Sequence, residues 1–175
     1  MRMTIITVGR VKERFYREAV KEYLKRLTRY AKIDLIEIPD EKCPESMSNA
    51  QMLAVKQKEG EKILSKIPSS SYPIALAIEG KMLSSAQLSN KLSSLTVSGT
   101  SHITWIIGGS LGLSDSVKKR CKFLLSFSPM TFPHQLMRVI LVEQVYRSFR
   151  IMNNETYHKG CLGDVDMQDI RTSRK

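Results

Sequence analysis

The chain has 175 residues, a net charge of +11 and a sequence pI near 9.7. That is enough for one domain with a real core, and basic enough to point to a polyanionic partner, nucleic acid before an anionic membrane surface. No apolar run approaches the length of a bilayer span, the short one at the N-terminus meets charge too soon for a secretory signal, and three scattered cysteines and three scattered histidines without a CxxC pair argue against structural zinc and a disulfide framework and fit a reducing compartment.

In chain order, "MTIITV" (3–8) reads as a β-branched strand followed by Gly9. Residues 12–31 carry helical periodicity, with Tyr16, Val20, Tyr23, Leu27 and Tyr30 on one stripe. Along the same segment Arg10, Arg14, Arg17, Lys21, Lys25, Arg29 and Lys32 line the opposite face. Residues 1–32 hold ten basic and three acidic side chains, too few acids to neutralise that face, so it is a candidate for phosphate contact as well as an ordinary solvated surface. "IDLIEI" (33–38) is a second strand stopped by Pro39. Ser48 with Gln51 forms a capping-box pattern for a helix to about Lys66, and Pro68 closes it. "PIALAI" (73–78) is a wholly apolar third strand, and Ser84 with Gln87 repeats the capping box before a helix that buries Leu88, Leu92 and Leu95. "HITWII" (102–107) is a fourth strand. Ser114 caps a short helix, with Asp115 at its positive end and a basic patch, Lys118, Lys119, Arg120 and Lys122, behind it. "FLLSF" (123–127) is the fifth strand, and Pro133 opens a last helix to about Met152.

Strict alternation of strand and helix predicts an α/β fold, with a mainly parallel sheet and helices on both faces. Ligands in such folds bind beyond the carboxyl ends of the strands. The loops leaving those ends are 79–85, 108–115 and 126–133, and a sheet placing strands three, four and five side by side gathers them into one crevice. Within "IIGGSLGLSD" the glycines Gly108, Gly109 and Gly112 match neither GxxxxGK[ST] nor GxGxxG, and no acidic residue follows about twenty positions later. Taken alone the stretch is a glycine turn.

The combination carries more. "IEGK" after strand three, "IIGGSLGLSD" after strand four, "LSFSPMTFPHQLMRVILVEQVYRSFRI" after strand five and "YHK" near the end resemble the SPOUT class of RNA methyltransferases. More closely, with "TIITVGRVKERFYREAVKEYLKRLTRY", they resemble the ribosomal RNA large subunit methyltransferase H family over residues 1–159. The resemblance implies one domain over 1–159, a C-terminal trefoil knot, which general rules of chain topology would not have favoured, and a homodimer. It implies cytoplasmic transfer of a methyl group from S-adenosylmethionine, with S-adenosylhomocysteine as product and no metal, to N3 of a pseudouridine. The partner it implies is the ribosome, through its large-subunit RNA, with no membrane. Residues 160–175 continue past the family pattern, and their composition predicts a disordered tail.

Carried over by position, the resemblance places the cofactor against Leu76, Gly108, Phe127, Ser128, Pro129, Met130, Thr131 and Phe132. Glu143 and Arg147, spaced i, i+4 on the last helix, read by themselves as a structural ion pair. The resemblance puts them at the target base and has Tyr157, His158 and Lys159 close the site, from the partner subunit. An imide N–H must lose its proton before nitrogen attacks a methyl group; His158 is one candidate base, and Arg147 or Lys159 could instead stabilise the imide anion. A SPOUT enzyme acting on transfer RNA or another ribosomal site, and a non-catalytic RNA-binding protein, are the alternatives.

Overall fold

A computed structural model describes residues 1–44 and 46–157. Five parallel strands form one sheet: β1 (Arg2–Val8), β2 (Lys32–Ile38), β3 (Tyr72–Met82), β4 (His102–Ile107) and β5 (Phe123–Ser126), in the order β2-β1-β4-β3-β5. Strands three, four and five therefore do lie together, as the loop argument required. The helices are α1 (Arg14–Leu27), α2 (Asn49–Lys66), α3 (Ser85–Val97), α4 (Asp115–Arg120) and α5 (His134–Met152).

The strand pleat sorts the core into two layers. Met3, Ile5, Ile103 and Trp105 face α1, α3 and α5, packing on Leu27, Leu92, Leu141, Val145 and Phe149. Ile6, Val8 and Ile106 face α2 and α4, packing on Ile63 and Val117. Both faces of the sheet are thus covered, in keeping with the apolar runs 74–78 and 103–107, although Ile78, at the end of the first run, is exposed. Both expected capping boxes form: the Ser48 and Ser84 hydroxyls accept from the Gln51 and Gln87 amides, and each glutamine accepts in return from its N-cap amide. Pro133 stands one position outside α5, as its N-cap, rather than inside the first turn.

One expectation needs correction. The third strand does not end at Ile78; it runs to Met82, so most of the 79–85 loop is strand. Leu76 and Lys81 both sit opposite Leu125, so the residues between them bulge out of register. A Cβ on Gly80 would lie 2.7 Å from the backbone of Leu124 and Leu125. Only a glycine lets the returning strand approach β5 that closely.

Candidate active site

Three chain segments meet beyond the carboxyl ends of β4, β3 and β5 and enclose a cleft of about 710 Å³, within the size range of small-molecule sites. β4 contributes the turn after Ile107: Gly112 N donates to Gly109 O at 3.0 Å, closing a tight loop before Ser114 caps α4. A Cβ on Gly108 would stand 2.9 Å from the Gly112 carbonyl carbon, so the residue's small size is what lets this turn close on itself. β3 contributes Leu76, Ala77 and Ile78 from its bulge. β5 contributes the third wall. There the Ser126 hydroxyl donates to Ser128 O at 3.1 Å, the Ser128 hydroxyl accepts from Met130 N at 3.0 Å, and the loop turns into α5.

Of the residues expected at the cofactor, Leu76, Gly108, Phe127, Ser128, Met130, Thr131 and Phe132 line this cleft. Pro129 does not; it is exposed at the turn of the loop. Ser110 and Ser126, within the loops expected at the crevice, line it as well, and so do His134 and Met137, which escaped the sequence reading. The last two share a signal that was available: they are spaced i, i+3 at the start of a helix that leaves a strand-end loop.

Beneath the glycine turn lies Glu59, 5% exposed, with Oε1 accepting from Glu41 N at 3.1 Å. Its Oε2 is 3.0 Å from where a Cβ on Gly109 would stand. Burial raises its pKa; Asp40 and Glu41 add to that, against the Glu41 amide and Lys62. A carboxyl whose pKa is raised on folding stabilises the protein while protonated and loses that contribution as pH climbs past the unfolded value of about 4.3. Glu59→Gln, whose carbonyl can still accept from Glu41 N, is therefore expected to raise the melting temperature at pH 7–8 by about 2–4 °C. The difference from wild type should close near pH 4, and an equal shift at both pH values would contradict the assignment.

The residues expected at the target base form a separate cluster on the far half of α5. Arg147 Nε donates to Glu143 Oε1 at 3.0 Å, and the Tyr157 hydroxyl donates to the same oxygen at 3.3 Å. The Arg147 guanidinium lies 4.9 Å from the Tyr157 ring centroid, and Tyr157 meets Tyr146 edge-on at 5.0 Å. Burial works against the Arg147 charge, but the Glu143 hydrogen bond and charge outweigh it and its pKa is raised. Burial, with the Tyr23 hydroxyl and Glu143, pushes the Tyr157 phenol up. The segment after α5 is pinned to the turn after α1 and to α5 itself: Tyr30 OH donates to Glu155 at 2.8 Å, and Arg150 pairs with the same carboxylate at 2.8 Å. None of Glu143, Arg147 and Tyr157 lines the cleft. Arg147 is ten residues beyond Met137, the last cleft residue of α5, or about 15 Å along the helix axis. His158 and Lys159 lie outside the described residues.

The basic face of α1 is partly neutralised: Arg14 pairs with Glu18 and Arg26 with Glu22, while Arg29 reaches Glu155. Arg10, Lys12, Arg17, Lys21 and Lys25 are exposed along or beside it. The patch behind α4 is weaker than its composition implied, since Lys118 pairs with Glu79 and lies near Asp115. Among the described residues no group of histidine, cysteine and carboxylate side chains is placed to hold a metal, and no helix is long and apolar enough to cross a membrane.

The family described as predicted SPOUT methyltransferase matches residues 1–158. Ribosomal RNA large subunit methyltransferase H of Alkaliphilus oremlandii (strain OhILAs) is 58% identical over 159 residues, 91% of this chain and all of that protein. The protein of the same name from Enterococcus faecalis (strain ATCC 700802 / V583) is 54% identical over the same shares. A solved structure, that of a probable methylase family protein from Haemophilus influenzae Rd KW20, covers 91% of this chain and 70% of its own at 13% identity, with a TM-score of 0.48, a likeness too remote to build on.

Proposed function

Since the chain belongs to the SPOUT methyltransferase family, with ribosomal RNA large subunit methyltransferase H among its relatives, we propose that it methylates N3 of a pseudouridine in large-subunit ribosomal RNA, using S-adenosylmethionine. The observation that carries the reading is the convergence of the β3, β4 and β5 ends on one cleft. The cleft suits that cofactor. Phe127, Phe132, Leu76 and Met130 offer apolar walls for an adenine ring, Gly108 leaves its backbone approachable, and Ser128 and Thr131 supply hydroxyls for ribose or amino-acid groups. When bound, the cofactor supplies an electrophilic methyl group on a sulfonium and needs no metal to leave.

The chain's own residues then have to position a base and carry the charge of an imide anion. Arg147, held by Glu143 and stacked with Tyr157, is the proposed cationic group for that anion. Because this cluster sits about 15 Å along α5 from the cleft, the proposed working form is a homodimer. In it Glu143, Arg147, Tyr157, His158 and Lys159 of one copy close over the cleft of the other. The apolar circumference of α5 suits such packing. The reading also carries one SPOUT domain over 1–159 and a C-terminal trefoil knot. After β5, at the sheet edge, α5 crosses back to bond the end of β1 through Arg138. Exposed Arg10, Arg17, Lys21 and Lys25 are the proposed phosphate contacts, and the cytoplasm, where ribosomes are, is the proposed location.

Incubation with labelled S-adenosylmethionine and purified large subunits, whole ribosomes, naked ribosomal RNA and transfer RNA, followed by nucleoside analysis, tests this. Label is expected in N3-methylpseudouridine from ribosomal particles, with naked RNA a poor acceptor because the described residues form one domain around the sheet and offer RNA only a basic face. Label in transfer RNA or at another site would replace this reaction by a different one of the family. RNA binding with no transfer and no cofactor binding would leave a non-catalytic protein.

A further inference from the structure

Among the described residues lining the cleft, His134 is the only titratable side chain; the others are apolar or carry hydroxyls. It is the first residue of α5, directly after the loop that forms the third wall. Its Nε2 lies 3.6 Å from where a Cβ on Gly9 would stand, so the ring reaches from the cleft toward the end of β1. The chain beyond Gly9 is the basic stretch that carries Arg10 and Lys12, and it is fastened to the same turn of α5. The Gln135 Oε1 accepts from Lys12 N at 2.8 Å and from Glu13 N at 3.3 Å, while Arg138 donates to Val8 O and Gly9 O. His134 thus stands between the cofactor cleft and the side from which RNA held on α1 would deliver a base.

Resting on the methyl transfer to N3 read above, we propose that His134 is the proton acceptor in that reaction. The lone pair of a protonated imide nitrogen is delocalised into two carbonyls, and loss of the proton supplies a second, in-plane pair that can attack. In the step, the N3–H bond breaks and the proton passes to an imidazole nitrogen. The pair left on N3 forms the new N–C bond while the sulfonium's C–S pair withdraws to sulfur, leaving a neutral thioether. The imidazolium then returns its proton to water.

An acceptor must be neutral at working pH, and the surroundings of His134 favour the neutral ring. Burial holds the His134 pKa below the ordinary imidazole value; Arg138 adds to this, Asp40 opposes it and Lys12 adds a little. The Arg138 charge is itself engaged by Glu37 at 2.8 Å. Arg147 and Tyr157 of the other copy, which close over this cleft in the proposed homodimer, are left to stabilise the anion once the proton has gone.

His134→Gln keeps a polar side chain that cannot take a proton at neutral pH. It is expected to bind S-adenosylmethionine within about threefold of wild type by calorimetry, and to transfer methyl to ribosomal particles in a single turnover at least about 100-fold more slowly at pH 7. Wild type should show an acidic limb in its rate profile that His134→Gln lacks and His158→Ala retains. In the ligand-free wild-type chain, nitrogen NMR of the His134 ring should give a pKa below about 6.5. The proposal is overturned if His134→Gln keeps the rate or the acidic limb, or if the limb disappears in His158→Ala instead. Loss of cofactor affinity in proportion to rate, or a ring pKa at or above the ordinary value, overturns it too. Should His134→Gln not fold, His134→Asn and the wild-type NMR titration decide in the same way. Wild type that methylates N3 alongside an undiminished variant removes only this inference; wild type that never methylates N3 removes the functional reading, and this with it.

Discussion

Arg138→Met is expected to lower the melting temperature by about 6–15 °C, the largest stability loss anticipated for a single change outside the apolar core. The Arg138 side chain is 2% exposed, and both terminal nitrogens of its guanidinium bond the frame. Its guanidinium donates to Glu37 at 2.8 Å, to Val8 O at 2.9 Å and to Gly9 O at 2.6 Å. Methionine fills most of the volume but donates nothing. Glu37 is about a third exposed and can rehydrate, so the loss falls chiefly on two inward carbonyls at the end of β1. Breaking a buried pair from one side costs about 3–5 kcal/mol, and the exposure of Glu37 argues for the lower half of that range. Arg14→Met, which removes an exposed pair with Glu18, should move the melting temperature by about a degree at most. Equal shifts in the two variants by thermal unfolding would contradict the role given to Arg138.

Gly108→Val should weaken S-adenosylmethionine binding by at least about 100-fold, or roughly 2.7 kcal/mol, while far-UV circular dichroism shows the fold intact. Gly108 is buried, and its missing side chain faces the backbone of Gly112, C at 2.9 Å and O at 3.0 Å, with the buried Leu113 Cδ2 also at 3.0 Å. A branched Cβ must push the turn away, and the turn is one wall of the cleft. The rest of the sheet has no part in the clash, so stability should suffer less than binding does. Unchanged affinity in a folded variant would mean the cofactor lies elsewhere.

Local chemistry made much of this legible from sequence. The two capping boxes, the apolar runs of β1, β3 and β4, and the Glu143–Arg147 pair each depend on residues within one turn or one strand, and each stands where its pattern put it. Seven of the eight cofactor residues implied by the family resemblance line the cleft, and the rule about strand ends put two of its three loops there independently. What periodicity could not carry was the relation between distant segments. The end of β3 was missed because Glu79, Gly80 and Lys81 lose the apolar pattern just where the strand bulges and pairs again with β5. His134 was passed over because a helical pattern names the face of a residue and not the loop across from it, here Gly9 and Asp40. Glu143 and Arg147 were rightly paired, but their separation from the cleft depends on how α5 crosses the sheet, which no local pattern encodes.

That separation allows a mixed assembly to decide whether cofactor cleft and Arg147 cluster are halves of one site built from two chains. Gly108→Val and Arg147→Ala chains, each expected to be inactive alone, would be co-expressed with different tags, the mixed assembly purified through both, and methyl transfer to ribosomal particles measured. In a shared site the two lesions fall together on one side of the dimer and leave the other whole, so about half the wild-type rate should return. A mixed dimer as inactive as its parents would place both functions within one chain and contradict the shared arrangement.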